Sequence, residues 1–199
     1  MPEQMETKEK IHNKQSFFNI PNLLTLIRIL LIPIFIILFN NPTSIRSILS
    51  AIIFLIASLT DLLDGYIARQ RDQITRIGRL MDPVADKLLI SSALIILVGF
   101  GRVQSWIAIL IIGRELFITG LRAIASSEGI IISAESTGKY KLILQITAII
   151  FLILDYRWSF FDFLVFGKLL LLISIVLSVI SGYQYLTNFW KGVKIGEGS

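Results

Sequence analysis

An all-α bundle of six transmembrane helices is predicted by three properties of the sequence. Hydrophobic residues make up 54% of the chain and charged residues only 17%, whereas about a quarter of the residues in a soluble domain are charged. The apolar residues form six segments, each close to the roughly 20 residues that cross a bilayer. Lysine and arginine are also distributed unevenly between the links that join these segments. The predicted class is therefore a polytopic membrane protein.

The apolar segments are separated by residues that commonly end helices, chiefly asparagine, proline, glycine and charged residues. We predict a polar tail over residues 1–19, one six-helix domain over residues 20–190 and a second tail over residues 191–199. The first tail is expected either to lie at the membrane surface or to be disordered. The predicted helices are Pro21–Phe39, Ser44–Arg69, Asp82–Phe100, Gln104–Ser126, Thr137–Leu154 and Phe163–Phe189.

The basic residues predict how the bundle is oriented. With the N-terminus in the cytoplasm, twelve lysines and arginines fall on the cytoplasmic side and four on the other side. Cytoplasmic links of membrane proteins have such an excess. We therefore predict a multi-pass protein of the cell membrane, surrounded by membrane lipids, with both termini in the cytoplasm. The net charge of +5 fits this orientation without a nucleic-acid partner.

Four aspartates lie in the second and third segments, close to the polar stretch that separates these segments. Asp61 and Asp64 are three residues apart and Asp82 and Asp86 are four apart, so each pair shares a helix face if both stretches are helical. Carboxylates next to membrane segments need cationic partners. The chain has no cysteine and its one histidine, His12, lies in the polar tail, which argues against thiolate and histidine ligands. The aspartates therefore suit one or two hard divalent cations, with a purely structural ion-pair network as the alternative.

Asp82 also has a structural interpretation. Aspartate is favoured as a helix N-cap and proline at the first helical position, and Asp82 directly precedes Pro83. Asp82 could therefore only start the third helix. The step to Asp86 and the matching pair on the preceding helix favour a metal ligand.

Polar residues in the first segment are expected to face a functional partner. Asn22, Thr25 and Arg28 recur at intervals of three residues and lie roughly on one helix face. An alternative role for Asn22 is to cap the helix. Arg28 is surrounded by apolar sequence, so it is expected either to have a functional partner or to extend its charged end to the membrane surface.

A second polar group is shared by the fourth and fifth segments. Arg114 and Arg122 lie on nearly the same face of the fourth helix, whereas Glu115 is expected to point elsewhere and not to form a tight pair with Arg114. Lys139 and Lys141 lie near the start of the fifth helix. They form an anion site or are ordinary lysines at the membrane edge.

The aspartate spacing resembles the signature of the CDP-alcohol phosphotransferases. All eight fixed positions of the signature are present, and they read Asp61-x-x-Asp64-Gly65-x-x-Ala68-Arg69, eight residues, Gly78-x-x-x-Asp82-x-x-x-Asp86. The phrase Pro-Asn-x-x-Thr-x-x-Arg in the first segment is similar to the first helix of the family. Features of the phosphatidylglycerophosphate synthase branch also match, namely Arg114-Glu115, Gly120-Leu121-Arg122 and Gly138-Lys139-x-Lys141. Leu142 departs from the branch, since many relatives have threonine there.

The resemblance implies a reaction and a role for each matching residue. CDP-diacylglycerol and sn-glycerol 3-phosphate would be the substrates, two Mg²⁺ or Mn²⁺ ions the cofactors, and a homodimer the assembly. Asp61, Asp64 and Asp82 would bind metal, and Asp86 would be the general base and also contact metal. The CDP-diacylglycerol site would comprise Thr25, Arg28, Gly65, Ala68, Arg69 and Gly78. The glycerol phosphate site would comprise Arg114, Arg122, Lys139 and Lys141.

Two alternatives to this function remain open from the sequence. One is the same chemistry with another acceptor, such as inositol phosphate, serine or a second lipid. The other is a cation transporter that uses the aspartates as an ion path. The many basic residues beside the aspartates disfavour the transporter.

Overall fold

The computed structural model describes residues 20–71, 76–127, 137–158 and 161–196, and within them the side chains of residues 23–60, 83–127, 140–156 and 161–190. This part of the chain is helical apart from the links and one short strand pair, which confirms the predicted all-α class there. The helices are α1 (Ile20–Phe39), α2 (Ser44–Arg71), α3 (Arg76–Gly99), α4 (Ser105–Ser127), α5 (Thr137–Leu154) and α6 (Phe163–Gly196). The strands are β1 (Arg157–Trp158) and β2 (Phe161–Asp162), which pair antiparallel.

The helix ends agree with the apolar segments at most positions. α1, α2, α4 and α5 begin and end within two residues of their predicted bounds. By contrast, α3 begins at Arg76 rather than Asp82, and α6 continues to Gly196 rather than ending at Phe189. Both extensions are more polar than the segments that they continue, so hydropathy alone makes these two helices too short. The predicted tail over residues 1–19 lies outside the described residues.

Short links determine which helix ends lie together. Residues 72–75 join α2 to α3, and helices joined by so short a link run antiparallel as neighbours. α2 and α3 also contact each other directly. The last turns of α2, which include Asp61, therefore lie at the same end of the bundle as the first turns of α3, which include Asp86. We call this the motif end.

Arg102 holds together the opposite end of the bundle. Its guanidinium donates 2.8 Å hydrogen bonds to the backbone oxygens of Leu152 and Ile153, at the end of α5. It also forms a 3.1 Å ion pair with Asp155 and lies 5.4 Å from the ring centroid of Phe39. These contacts satisfy carbonyl groups that the end of a helix leaves without partners. One side chain thus connects the link after α3 with the ends of α5 and α1.

The strand pair of β1 and β2 lies between α5 and α6, where the sequence analysis predicts no helix. Asp155 has a φ of 43°, which turns the chain before β1. Arg157 then lies opposite Asp162 in the strand pair. The Asp162 Oδ1 atom accepts a 2.9 Å hydrogen bond from the backbone N–H of Leu164, so this aspartate caps the start of α6.

Helices α5 and α6 pack against each other at Gly167. A Cβ atom at this position would lie 2.8 Å from Leu152 Cγ and 3.1 Å from the backbone oxygen of Ala148. The two helices therefore approach too closely for a side chain here. Small residues commonly allow such close contact between helices in membranes.

Apolar side chains fill the core and also cover the outside of the bundle. In the core, the rings of Phe35, Phe39 and Phe54 are fully buried, and that of Phe35 lies against the other two. Large aliphatic residues are exposed on every helix, for example Ile37, Ile45, Ile95, Ile109, Ile143 and Val165. So extensive an apolar surface is unfavourable in water.

Length and composition identify one clear membrane-crossing helix among the described residues, Phe163–Trp190. Three further apolar helical stretches are shorter: Leu23–Phe39, Ser44–Thr60 and Tyr140–Leu154. The arrangement with six spans therefore stays a prediction.

Candidate active site

The four motif aspartates lie on two helices that meet at the motif end. α2 runs through Asp61 and Asp64, and α3 runs through Asp82 and Asp86. Both stretches are therefore helical, which is the condition under which the two aspartates of each pair share a helix face. The side chains of residues 61–82 lie outside the described part, so metal binding by Asp61, Asp64 and Asp82 stays a prediction.

The interpretation of Asp82 as an N-cap is wrong. α3 begins at Arg76, and both Asp82 and Pro83 lie inside it. An N-cap residue lies at the helix boundary, where the first backbone N–H groups lack partners. Asp82 therefore does not start the helix. This removes the N-cap alternative to its predicted role as a metal ligand.

Two of the predicted donor-binding residues lie in the interior of the bundle. Thr25 and Arg28 are both buried, and Arg28 Nε donates a 3.3 Å hydrogen bond to the backbone oxygen of Ala57 on α2. Ala57 is one turn before Asp61, so this bond holds Arg28 close to the motif end. Arg28 is fully buried, so the alternative in which it extends to the membrane surface is wrong. The other predicted donor-binding residues lie within α2 and α3, outside the described side chains: Gly65, Ala68, Arg69 and Gly78.

Asp86 is the motif aspartate whose side chain the structure describes. Its Oδ2 atom lies 2.5 Å from the ammonium nitrogen of Lys87, and its side chain is 19% exposed. The same nitrogen lies 3.1 Å from Oε2 of Glu115 on α4. Lys87 therefore bridges the aspartate motif and the neighbouring helix.

Glu115 is the centre of this group of charges. It is largely buried, and its Oε1 atom accepts a 2.9 Å hydrogen bond from Arg114 Nη1 and a second bond from Lys141 Nζ on α5. Lys87 contacts the other carboxylate oxygen. One carboxylate thus binds cations from three helices. We call Asp86, Lys87, Arg114, Glu115 and Lys141 the charge cluster.

The prediction that Arg114 and Glu115 do not form a tight pair is wrong, because their charged groups lie 2.9 Å apart. Adjacent residues on a helix diverge by about 100° at Cβ, but both side chains are long enough to bend towards each other. A buried carboxylate is stable only when cations or hydrogen bonds compensate for its lost hydration. Because Glu115 is buried, its carboxylate is stabilised by an ion pair with the neighbouring Arg114 guanidinium.

Arg122 lies apart from the charge cluster. Its guanidinium is 5.5 Å from the ring centroid of Tyr185 on α6, which is a cation–π contact. Arg122 is separated from Arg114 by about 12 Å along the helix. Arg114 also faces α6, where a Cβ atom at Gly182 would lie 3.5 Å from its Nε. Both arginines thus contact α6, as expected of a shared face, whereas the side chain of Lys139 lies outside the described part.

The residues available for a metal ion fit a hard divalent cation. Among the described side chains there is no group of three or more histidine, cysteine, aspartate or glutamate residues that could hold one. This does not test the predicted site, since the side chains of three of its four aspartates lie outside the described part. Its donor set consists of carboxylate oxygens alone, which suits Mg²⁺ or Mn²⁺.

Comparison with known proteins places the chain in a family. The family model described as CDP-alcohol phosphatidyltransferase matches residues 18–180. The chain belongs to the CDP-alcohol phosphatidyltransferase family. Every candidate site residue lies inside the matched range, so this family's pattern extends over the aspartate motif and the charge cluster.

Curated CDP-alcohol phosphatidyltransferases are similar to the chain over nearly its whole length. It is 40% identical over 190 residues to the CDP-diacylglycerol--glycerol-3-phosphate 3-phosphatidyltransferase of Bacillus subtilis (strain 168). The matched region covers 89% of this chain and 98% of that protein. The protein of the same name from Rickettsia typhi is 38% identical over 168 residues, covering 84% and 94%. The one from Haemophilus influenzae is 38% identical over 175 residues, covering 85% and 92%.

Lys87 and Glu115 have no role predicted from the sequence, although they lie at the centre of the charge cluster. Both are ionisable residues inside apolar sequence, and such residues usually have a functional partner. Arg28 is identified as a candidate in this way, and Lys87 and Glu115 meet the same criterion. The ion pairs of Glu115 with Lys87 and with Lys141 join different helices, and local spacing does not reveal them.

Proposed function

We propose that the protein transfers the phosphatidyl group of CDP-diacylglycerol to sn-glycerol 3-phosphate, which gives phosphatidylglycerophosphate and CMP. The similar proteins from Bacillus subtilis and Rickettsia typhi are named for this reaction. The structural observation that supports the proposal most is the contact of Asp86 with the rest of the charge cluster. Through Lys87 and Glu115, this aspartate is connected to two candidate phosphate-binding residues, Arg114 and Lys141.

The proposed chemistry is a direct displacement at the β-phosphorus of the donor. A hydroxyl oxygen of the acceptor forms the new bond to phosphorus while the bond to the oxygen bridging to CMP breaks, and CMP leaves with that oxygen. Asp86 accepts the hydroxyl proton as general base. The chain has no cysteine, and its one histidine lies far from the motif in sequence. No covalent enzyme intermediate is therefore part of the proposal.

The donor side of the proposed site lies at the motif end. Asp61, Asp64 and Asp82, with Asp86 beside them, would hold Mg²⁺ or Mn²⁺. When bound, such ions neutralise the charge of the diphosphate and of the departing CMP. The small residues Gly65, Ala68 and Gly78 leave room for the nucleotide, and the remaining donor-binding residues are Thr25, Arg28 and Arg69. The bond from Arg28 to the backbone of α2 would fix that guanidinium beside the donor.

The acceptor side of the proposed site is the charge cluster with Arg122 and Lys139. The cluster has three cations and two carboxylates, so it has an excess of positive charge in a partly buried position. Such a site favours an anion such as a phosphate monoester. The same positive charges would repel cations that move along a transport path, which disfavours a transporter.

The proposed setting is the cell membrane, which six helices cross with both termini and the site on the cytoplasmic side. Support comes from the uneven distribution of lysine and arginine and from the exposed aliphatic residues on every helix. Arg102 and its partners would then lie at the outer end of the bundle. The motif end would face the cytoplasm, where soluble phosphates are available.

Two serine-to-cysteine variants test this orientation on one helix. Ser105 and Ser127 are the first and last residues of α4, and both are exposed. On intact cells, a membrane-impermeant maleimide is expected to label Ser105→Cys and to label Ser127→Cys only after permeabilisation. The background is clean because the natural chain has no cysteine. Labelling of Ser127→Cys alone on intact cells would reverse the proposed orientation.

A panel of acceptors tests the proposed reaction. Purified protein in detergent is given CDP-diacylglycerol, Mg²⁺ or Mn²⁺, and glycerol 3-phosphate, glycerol, inositol phosphate or serine in turn. CMP release and the mass of the lipid product are measured. We expect kcat/KM for glycerol 3-phosphate to exceed that for glycerol by at least about 10²-fold, because glycerol cannot satisfy a site built for phosphate. Higher efficiency with another acceptor would assign that substrate instead, and the absence of CMP release with all of them would reject the transferase.

A further inference from the structure

The contacts of Glu115 suggest a role that none of the predicted site residues has. Its two carboxylate oxygens hold Arg114, Lys141 and Lys87, and these three cations come from α4, α5 and α3. Without a shared anion, three cations so close together would repel one another strongly in a partly buried position. Glu115 therefore determines where these cationic groups lie.

The cluster retains capacity for another anion. A guanidinium has five N–H donors and an ammonium has three, more than one carboxylate can occupy. Arg114 Nε is buried and has no hydrogen-bond partner in the described part of the chain. The three cations also outnumber the two carboxylates of the cluster. A ligand with a compact negative charge and several acceptor oxygens would satisfy both the donors and the charge.

Lys87 connects this anion site to the proposed base. Its ammonium nitrogen is 2.5 Å from Asp86 Oδ2 and 3.1 Å from Glu115 Oε2. The separation between the base and the cations on Glu115 is thus set by one continuous chain of ion pairs. An acceptor with a phosphate at one end and a hydroxyl at the other needs such a fixed separation.

We infer that Glu115 and Lys87 are positioning residues for a phosphate monoester acceptor. Glu115 aligns Arg114 and Lys141 towards the phosphate, and Lys87 holds this phosphate site at a fixed distance from Asp86. The inference rests on the proposed transferase function and adds the residues that place the acceptor. Neither residue needs to touch the reacting atoms.

Replacing Glu115 by glutamine tests the inference, because a positioning role and a competing role predict opposite changes in KM for glycerol 3-phosphate. The amide keeps the size of the side chain but removes the charge that aligns three cations. We expect KM for glycerol 3-phosphate to rise by about 10- to 100-fold, with a smaller fall in kcat and less than about a twofold change in KM for CDP-diacylglycerol. If Glu115 merely competed with the phosphate, its loss would increase the positive charge and lower this KM. A lowered or unchanged KM would overturn the positioning role.

A matched control separates this effect from general damage to α4. Thr119 is one turn after Glu115, and its hydroxyl donates to the backbone oxygen of Glu115 rather than to the carboxylate. Thr119→Val is expected to keep both KM values within about twofold of the natural protein. Thermal unfolding of each variant in detergent provides a check on folding. A rise in KM for glycerol 3-phosphate in Thr119→Val equal to that in Glu115→Gln would show a structural effect only.

Lys87→Gln, alone and combined with Glu115→Gln in a double variant, tests the connection to Asp86. Lys87→Gln is expected to raise KM for glycerol 3-phosphate and also to lower kcat, because Asp86 loses its contact. In the double variant the two effects are expected to be clearly less than multiplicative, since both substitutions break the same chain of ion pairs. Fully multiplicative effects would overturn the coupling. If Glu115→Gln fails to fold, unchanged kinetics of Lys87→Gln would by itself contradict the inference.

A binding measurement distinguishes failure of this inference from failure of the proposed function. Isothermal titration of the metal-loaded natural protein with inorganic phosphate and with glycerol 3-phosphate is compared with the same titrations of Glu115→Gln. Binding that is weakened about 10-fold or more in the variant supports the anion site, even if CMP release is absent. Equal binding in both proteins would overturn the inference even if the natural protein is an active transferase.

Discussion

Asp86→Asn is expected to lower kcat by roughly 10²–10⁴-fold, because asparagine keeps the size of the side chain but cannot accept a proton from the acceptor hydroxyl. The contact with Lys87 is largely retained, since an amide oxygen still accepts a hydrogen bond from an ammonium group. The substitution therefore tests proton transfer more than it disturbs the charge cluster. Turnover is measured at saturating metal and substrates on protein purified in detergent.

Asp61→Asn is the control for Asp86→Asn. Asp61 is a predicted metal ligand, so its replacement is expected to weaken binding of Mn²⁺ and of CDP-diacylglycerol together. Asp86→Asn is expected to change donor binding little, because three carboxylates remain for the metal. Turnover near that of the natural protein would remove Asp86 from the mechanism. Loss of Mn²⁺ binding as severe as in Asp61→Asn would make Asp86 chiefly a ligand and leave the base unassigned.

Removal of divalent metal is expected to abolish turnover. The motif supplies four carboxylates from two helices and no nitrogen or sulfur ligand, which is a donor set for hard cations. Without the ions, the negative charge of the diphosphate and of the departing CMP is not neutralised. Excess EDTA should therefore reduce CMP release to the level of the reaction without protein. Addition of Mg²⁺ or Mn²⁺ beyond the EDTA should restore it.

EDTA already saturated with Mg²⁺ is the control for chelation, and it is expected to leave turnover unchanged. Thermal unfolding with and without free EDTA shows whether the protein stays folded. The contacts of Arg102 with α5 and of Gly167 with Leu152 lie away from the motif end, so a folded bundle is expected without metal. Full turnover in metal-free buffer would contradict the metal role.

Most of the helices could be predicted because their causes are local in the sequence. Apolar runs of bilayer length and the breakers between them place α1, α2, α4 and α5 within two residues. The start of α3 could not be placed in this way. Its first turns are polar, and Asp82-Pro83 is a typical helix start. The helix nevertheless begins at Arg76, since arginine, leucine and methionine favour helix without being uniformly apolar.

The candidate site, like the helices, could be predicted only in part from the sequence. The spacing of the aspartates and the family motif are properties of the sequence, and they identify Asp86 as well as the candidate phosphate-binding residues Arg114 and Lys141. The sequence gives no sign that Glu115 joins Arg114 to Lys141, or that Lys87 joins Glu115 to Asp86. These partners lie on three helices, and Lys141 is 26 residues from Glu115.

The sequence by itself determined the helical class, most helix bounds, the aspartate motif and membership of the family. Periodicity, hydropathy and residue spacing act over a few turns, so they are readable without a fold. Only the tertiary structure decided that Arg28 is buried against Ala57, that Arg102 closes the far end and that Glu115 holds three cations. The physical reason is desolvation. A charged group removed from water must find its partners among whichever residues the packing of the helices brings close.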